Sequence, residues 1–256
     1  MILLSNDDGY SAKGLAALIE ALRPIDDLLV VAPEGARSGN ACAITMTAAL
    51  TNRLIAQEPA TDGQGSLTIY ACSGTPVDCV KLAFNILIPR LGLPQPRLVI
   101  GGVNHGDNSS VNTFYSGTMG VAFEGVHQGV GGLGFSVCDH SASADFTPCL
   151  PIIRRVVERV LADPLPPRTA LNVNFPKGGD YRGIRVCRLA HSRWIDEVQP
   201  MLHPATGQEL YWLKGTPVEL EPEATDTDRW ALANGYVAIT PQTYDVTDYG
   251  LMGREF

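Results

Sequence analysis

Short apolar runs alternate with amphipathic helical segments over the first 175 residues, and this alternation constrains the fold more than any other feature of the sequence. Buried strands are predicted at 2–5, 27–32, 67–72, 97–103, 135–139 and 170–175. Helices are predicted around 15–22, from Thr75-Pro76 onward, at 117–127 and at 150–162. Continuous apolar strands joined by helices indicate βαβ units, and therefore an α/β fold with a mainly parallel sheet between helices.

The pattern changes after Pro176. Segments 183–189, 209–215 and 235–240 are shorter strands separated by polar loops. We therefore predict a catalytic core at residues 1–180 and a β-rich extension at residues 181–256, whose hairpins contact another subunit.

Charge and hydropathy exclude several classes of function. The formal net charge is -8, whereas a surface that binds a nucleic-acid polymer needs clustered Lys and Arg. No run reaches the roughly 18 apolar residues of a membrane span, and the first residues lack the basic region of a signal peptide. We therefore expect a cytoplasmic protein with no membrane partner, in which the six cysteines are free thiols.

Polar residues follow the predicted strands at the edge where parallel α/β sheets bind ligands. The first strand is followed by Asn6-Asp7-Asp8-Gly9, and the later segments 37–40, 73–75 and 104–108 are similarly polar. Two adjacent carboxylates repel each other unless a cation lies between them. With hydroxyl and amide oxygens they match the donors that Mg²⁺ or Mn²⁺ prefers. The alternative is a simple Asp-Gly turn with Asp7 as a helix cap.

The segment "YSGTMG" at 115–120 opens a predicted helix. Its backbone N–H groups are suited to hold a phosphate, and the alternative is a plain Ser/Thr helix cap. The G-x-G-x-x-G match at 129–134 precedes a predicted strand, so it fails the context test for a dinucleotide site. His105 is either an acid for a leaving alkoxide or a solvated loop histidine.

Seven motifs occur in the order seen in the SurE survival-protein family, and the chain resembles that family from Ile2 to about Pro241. They are "SNDDG", "RSGNACAIT", "CSGTPVDCV", "GVNHGDN", "YSGTMGVAFEG", "LNVNFP" and "GYVAITP". The resemblance implies a Rossmann-like core and a C-terminal segment exchanged between subunits of a homodimer or homotetramer. It also implies one divalent cation per subunit, bound by Asp7, Asp8, Ser38 and Asn104.

The resemblance implies a metal-dependent phosphomonoesterase that hydrolyses nucleoside monophosphates, with short polyphosphate as a further substrate. Asp7 and Asp8 are then the catalytic residues. Substrate binding is assigned to four residues: Asn108, Ser116, Gly117 and Thr118. The alternative is a nucleotide-binding and metal-binding regulatory module that has lost turnover.

The sequence departs from the family pattern next to these residues. The family has Ser-Gly-Ile-Asn where this chain has Gly101-Gly102-Val103-Asn104, and an Asp shortly before Tyr-Ser-Gly-Thr where this chain has Asn112. The family's Gly-x-Asn-x-Gly is replaced by residues 106–110. The four implied metal ligands are present, so these changes concern substrate preference and the level of activity.

Overall fold

The structure is a computed structural model that describes residues 1–254, and its centre is a nine-stranded sheet. Residues 255–256, the last two of the predicted extension, lie outside the described residues. The strands are β1 Ile2–Ser5, β2 Leu28–Pro33, β3 Asn52–Glu58, β4 Leu67–Cys72, β5 Leu98–His105, β6 Gly131–Val137, β7 Thr169–Phe175, β8 Ile184–Val186, β9 Ser192–Ile195, β10 Val198–Leu202, β11 Glu209–Leu213, β12 Thr216–Glu219 and β13 Val237–Thr243.

Helices flank both faces of this sheet. Within residues 1–254 the α-helices are α1 Lys13–Leu22, α2 Pro76–Leu82, α3 Ile88–Leu91, α4 Gly117–His127, α5 Leu150–Ala162 and α6 Asp228–Ala233. A π-helical segment, Ala83–Leu87, joins α2 to α3, and a 3-10 helix at Ser110–Tyr115 precedes α4. In the described residues no helix is both long and apolar enough to cross a membrane.

The strand order is β3-β4-β2-β1-β5-β6-β7-β13-β8. Only β3 against β4 and β13 against β7 pair antiparallel, while the other neighbours pair parallel. The chain runs from β1 outward through β2, and later returns to β5 on the other side of β1. The topological switch point therefore lies between β1 and β5, where sheets of this kind bind ligands. The predicted α/β, Rossmann-like fold with a β-rich C-terminal part is confirmed.

Alternating side chains of the strands fill two cores. Ile2 and Leu4 pack with the buried face of α1 and with α5 in one core. Leu3 points the other way and packs with Val80 and Ile88 in the second core. Because both faces of β1 are buried, its four residues read as an uninterrupted apolar run that ends in Ser5.

The sequence predicted most of the elements before residue 176 closely, and two differences have clear causes. β6 begins at Gly131, four residues earlier than predicted. The strand starts with glycines, which give no apolar pattern, because α4 lies close against it: a Cβ at Gly132 would lie 2.0 Å from the Ala122 carbonyl oxygen. β5 extends through His105, so Asn104 belongs to the strand and not to the loop after it.

The C-terminal part has two components. β8 and β13 join the main sheet beside β7, whereas β9 pairs with β12 and β10 pairs with β11 in two separate antiparallel ribbons. Sequence reasoning missed β3, β9, β10, β12 and the short helix α6, because each has at most seven residues and none has two consecutive buried residues.

Helix α4 lies on β5 at Gly125, and this contact suggests a test. A Cβ at Gly125 would lie 2.4 Å from Val99 Cβ, so Gly125→Ala forces the helix and strand apart. We expect the free energy of unfolding in urea to fall by about 1–3 kcal/mol. Gly35→Ala is the control, because a Cβ there meets no atom within 4 Å. Equal stability of the two variants would contradict this packing.

Candidate active site

The turn after β1 is built by Asn6 and Gly9, not by the two aspartates between them. Gly9 N–H donates to Asn6 Oδ1 (3.2 Å), and Asn6 Nδ2 donates to Gly9 O (3.0 Å). The N-cap of α1 is Ala12, which makes no side-chain cap. Asp7 and Asp8 are therefore not required for the turn or as a helix cap, and both carboxylates remain available for binding.

The Asp7 carboxylate is buried, with 4% of the residue exposed. Thr118 Oγ1 donates to its Oδ1 at 2.8 Å. Gly117 lies so close that a Cβ there would be 2.8 Å from Asp7 Cβ. Burial raises the pKa of Asp7 to about 6, and the charge of Asp8 adds to the rise, while hydrogen bonds from Thr118 and the Gly117 backbone oppose it. The start of α4 thus faces the Asp7 carboxylate.

Asp8 lies beside His105 on the other side of the doublet. His105 N–H donates to Asp8 Oδ2 at 3.3 Å. Partial burial raises the pKa of Asp8 above its ordinary value, and the contacts with His105 lower it. Asp8 lines a cleft of about 310 Å³ together with Lys13, His105 and Phe146.

A neighbouring cleft of about 280 Å³ collects five of the predicted site residues. Its lining includes Asp7, Ser38, Asn104, Asn108 and Ser116. His105 lines both clefts, so the two carboxylates open to adjoining spaces at the switch point between β1 and β5. Gly117 and Thr118 lie behind Asp7 and are buried.

Two different supports hold Ser38 and Asn104 at this cleft. Ser38 is in the exposed loop between β2 and β3. The preceding residue, Arg37, fastens that loop: its backbone N–H donates to Asp7 O (2.6 Å) and its Nη2 donates to Ser73 O (2.9 Å). Asn104 Nδ2 donates to Gly106 O (3.0 Å), so the side-chain oxygen is the atom that can face a cation.

The donor set fits a hard divalent cation. Among residues 1–254, Asp7 and Asp8 form no salt bridge with a basic side chain. In the same range there is no group of three or more His, Cys, Asp or Glu side chains that could hold a metal. The two carboxylates and the neutral oxygens of Ser38 and Asn104 are the kind of donors that hard divalent cations prefer, and their binding of a cation stays a prediction.

Ser116 acts as the N-cap of α4, as the simpler interpretation of "YSGTMG" predicted. Its Oγ accepts a hydrogen bond from Met119 N–H at 3.1 Å. Its backbone N–H is directed to Thr113 O at 3.4 Å. Contact of residues 116–118 with a phosphate stays a prediction.

Asn108 is held in a closed ring of hydrogen bonds with β7. Its N–H donates to Asn174 Oδ1 (3.0 Å), Asn174 Nδ2 donates to Asn172 Oδ1 (2.7 Å), and Asn172 Nδ2 donates back to Asn108 O (2.8 Å). The side chain of Asn108 donates to Ser136 Oγ (2.8 Å). The backbone at 108 is therefore rigid, while its assigned role in substrate binding stays a prediction.

Sequence reasoning missed the residues that support this loop. Asn172 and Asn174 alternate with apolar residues in a strand buried on both faces, and this alternation is the signal that marks them. Asp107 forms a salt bridge with Arg229 of α6 (2.9 Å). Asn112 accepts a hydrogen bond from Trp194 Nε1 (2.9 Å).

Elements far along the sequence thus fix the wall of the cleft. Buried Asp228 of α6 accepts hydrogen bonds from Ser110 N–H (2.7 Å) and Ala190 N–H (2.9 Å). Tyr211 and Trp212 are exposed on the β10–β11 ribbon and do not line the cleft.

The raised pKa of Asp7 predicts a stability change with pH in metal-free protein. Its folded pKa of about 6 exceeds the reference of 3.8, so the folded state loses stability as pH rises from about 4 to above 6. Asp7→Asn removes that cost. We expect the variant to exceed the wild type by about 1–3 kcal/mol at pH 8, with the difference vanishing near pH 4.

Urea unfolding in EDTA at several pH values measures this difference. Asp180→Asn, at an exposed position, is the control and should follow the wild type throughout. A difference between Asp7→Asn and wild type that is independent of pH would show that the carboxylate is not the cause.

Comparison with known proteins agrees with this geometry. The family described as "Survival protein SurE" matches residues 2–196. The chain is 50% identical to a "5'-nucleotidase SurE" of Phocaeicola vulgatus, covering 99% of this chain and 95% of that protein. It is 47% identical to a "5'-nucleotidase SurE" of Bacteroides fragilis, covering 98% and 94%.

A solved structure, the "Crystal Structure of Sure Protein from Aquifex aeolicus", matches with a TM-score of 0.76 and 32% identity. The match covers 98% of this chain and 96% of that one. The resemblance seen in the motifs is confirmed over nearly the whole length: the chain belongs to the SurE survival-protein family.

Proposed function

We propose that this chain is a metal-dependent phosphomonoesterase that hydrolyses nucleoside monophosphates to nucleoside and phosphate. The family membership and the relatives' name, 5'-nucleotidase, support this activity. The observation that carries the proposal is the cleft at the switch point, where Asp7, Ser38 and Asn104 meet beside the start of α4.

We propose that one divalent cation, Mg²⁺ or Mn²⁺, is held by Asp7, Asp8, Ser38 and Asn104. When bound, it supplies positive charge for the phosphoryl oxygens and acidifies a water. The unbalanced negative charge of the doublet supports this assignment, because a cation would offset the cost of keeping the buried Asp7 ionised.

The chain's own residues orient the reactants. Thr118 orients the Asp7 carboxylate through a hydrogen bond from its hydroxyl. Asp8 or Asp7 is proposed to orient the attacking water. The start of α4 at Ser116–Thr118 is proposed to lie beside the non-bridging oxygens, where the positive end of the helix dipole offsets the negative charge that develops on them. The rigid backbone at Asn108 is proposed to limit where the nucleotide lies.

A regulatory module without turnover is the less favoured alternative. It would have no need to keep the four proposed cation ligands at one edge, and related proteins at 50% and 47% identity carry the name of an enzyme. Assays with p-nitrophenyl phosphate, with and without Mn²⁺, distinguish the two functions, because only an enzyme gives metal-stimulated release of p-nitrophenol.

The doublet provides the direct test of the mechanism. Asp8→Asn removes one of two carboxylates from the cation site, so we expect Mn²⁺ affinity to fall and most of the AMP hydrolysis rate to be lost, by roughly 100-fold or more. Calorimetry measures Mn²⁺ binding and phosphate release measures turnover.

The matched control is Asp62→Asn, which removes an equal charge at an exposed turn. It should leave both quantities unchanged. Full metal-dependent turnover in Asp8→Asn would overturn the assignment of the doublet.

We propose that residues 181–256 form a contact between subunits through the β10–β11 ribbon. The assembly is proposed to be a homodimer or homotetramer in the cytoplasm. This ribbon pairs with no strand of the main sheet. Val198 and Leu213 lie directly opposite each other and are 54% and 86% exposed. Apolar side chains this exposed on one face of a ribbon are typical of a surface that a partner covers.

The free thiols of all six cysteines are consistent with a reducing compartment, as proposed for a cytoplasmic protein.

This proposal predicts that substitutions on the β10–β11 ribbon lower the mass of the oligomer in solution. Val198→Lys combined with Leu213→Glu replaces an apolar pair with an opposite-charge pair, which keeps the ribbon but removes the apolar contact. We expect light scattering to show an oligomer for the wild type and a shift toward monomer for the double variant. An unchanged mass would place the interface elsewhere.

A further inference from the structure

The hydrolysis proposed above needs a proton for the departing ribose oxygen. Asp7 and Asp8 cannot supply it while they bind a cation. Two imidazoles line the cleft beside Asp7, those of His105 and His140. Their surroundings are different, and the difference decides which one can act.

His105 has a structural role. Its Nε2 makes a hydrogen bond to the carbonyl oxygen of Ser141. Its ring packs edge-on against Phe146, with ring centroids 6.1 Å apart. His105 is half-buried at the end of β5, and its Nε2 is already engaged with the 141–146 segment, so its ring is less free than that of His140 to serve a leaving group.

His140 is exposed at the mouth of the cleft, and its ring makes no hydrogen bond among residues 1–254. A Cβ at Gly106 would lie 2.7 Å from His140 Cε1 and 3.0 Å from its Nδ1. The ring therefore occupies the space that only a glycine at 106 leaves open. Gly106 itself accepts a hydrogen bond from Asn104.

Asp139, which precedes His140, and Gly106, against which its ring lies, are both held in place by hydrogen bonds. Asp139 forms a salt bridge with Lys177 at 3.1 Å and accepts a hydrogen bond from Ser141 N–H at 2.9 Å. Gly106 N–H also donates to Val137 O at 3.0 Å, which ties the end of β6 to the end of β5. The imidazole is thus placed by its backbone while its ring nitrogens remain open to a ligand.

The other groups that line the cleft are less suited to give a proton. Asp107 is paired with Arg229. The ring of Tyr115 is largely exposed and carries a phenol, which is a weaker acid than an imidazolium. Among the described lining residues, His140 is the imidazole whose ring nitrogens have no hydrogen-bond partner, and imidazole is the side chain that most often serves in acid catalysis.

We propose, as a consequence of the proposed phosphomonoesterase function, that His140 is the catalytic acid for the leaving nucleoside. As water oxygen bonds to phosphorus, the bond from phosphorus to the ester oxygen breaks and its electron pair stays on that oxygen. A ring N–H of His140 gives its proton to this oxygen, which leaves as the nucleoside hydroxyl. One proton of the water remains on the phosphate, and the other goes to solvent, from which His140 is reprotonated.

The test compares two leaving groups in His140→Asn. A nucleoside alkoxide needs protonation to leave, whereas p-nitrophenolate leaves without it. We expect kcat for AMP to fall by roughly 100-fold and kcat for p-nitrophenyl phosphate to change by less than about threefold. The KM for AMP should stay within about threefold, because acid catalysis acts in the transition state.

The control is His191→Asn, an exposed histidine that does not line the cleft, and both of its rates should match the wild type. Thermal unfolding of the three proteins checks that the fold is kept. Equal losses on both substrates, or no loss on AMP, would overturn the role of His140. A wild-type chain that hydrolyses neither substrate with Mn²⁺ would instead overturn the proposed function, and the acid with it.

Discussion

The site depends on one buried carboxylate. Asp7 lies two residues after β1, a strand that is buried on both faces, and among residues 1–254 it forms no salt bridge with a basic side chain, so its ionisation is opposed by its surroundings. The local hydrogen bonds from Thr118 and Gly117 relieve only part of that cost. Such a carboxylate lowers the stability of the metal-free fold near neutral pH. Its retention is understandable when a ligand that binds only the folded state returns the lost stability.

The close packing of helix α4 on the sheet is connected with the contacts that Asp7 makes. For Gly117 and Thr118 to reach Asp7, helix α4 must lie directly on β5 and β6. Small residues at the contact make that possible: a Cβ at Gly101 would lie 2.4 Å from the Thr118 carbonyl oxygen, and Gly125 meets Val99 in the same way. The glycines that weakened the helical pattern of α4 in the sequence are therefore the residues that bring its N-terminus to the site.

The sequence predicted the parts of the site that belong to local patterns. Asp7 and Asp8 could be found because they follow an apolar strand at the edge where ligands bind. The supports of the opposite wall could not, because Asp107 and Arg229 are 122 positions apart and Asn112 and Trp194 are 82 apart. The spacing of residues within a helix or strand gives no information about contacts between residues so far apart in the sequence. The position of His140 was also hidden, since only the folded chain places residues 106 and 140 against each other.

Asn112, one departure from the family pattern, is matched to its neighbours in this structure. Asn112 Nδ2 donates to the Asp107 carbonyl oxygen (3.3 Å), while its Oδ1 accepts from Trp194. An aspartate at 112 would keep the second contact, lose the first, and place a negative charge beside Asp107. With Asn at 112, the one remaining carboxylate of the pair is neutralised by Arg229. The contacts of residues 107 and 112 therefore tie this wall of the cleft to Trp194 and Arg229, which lie far along the chain.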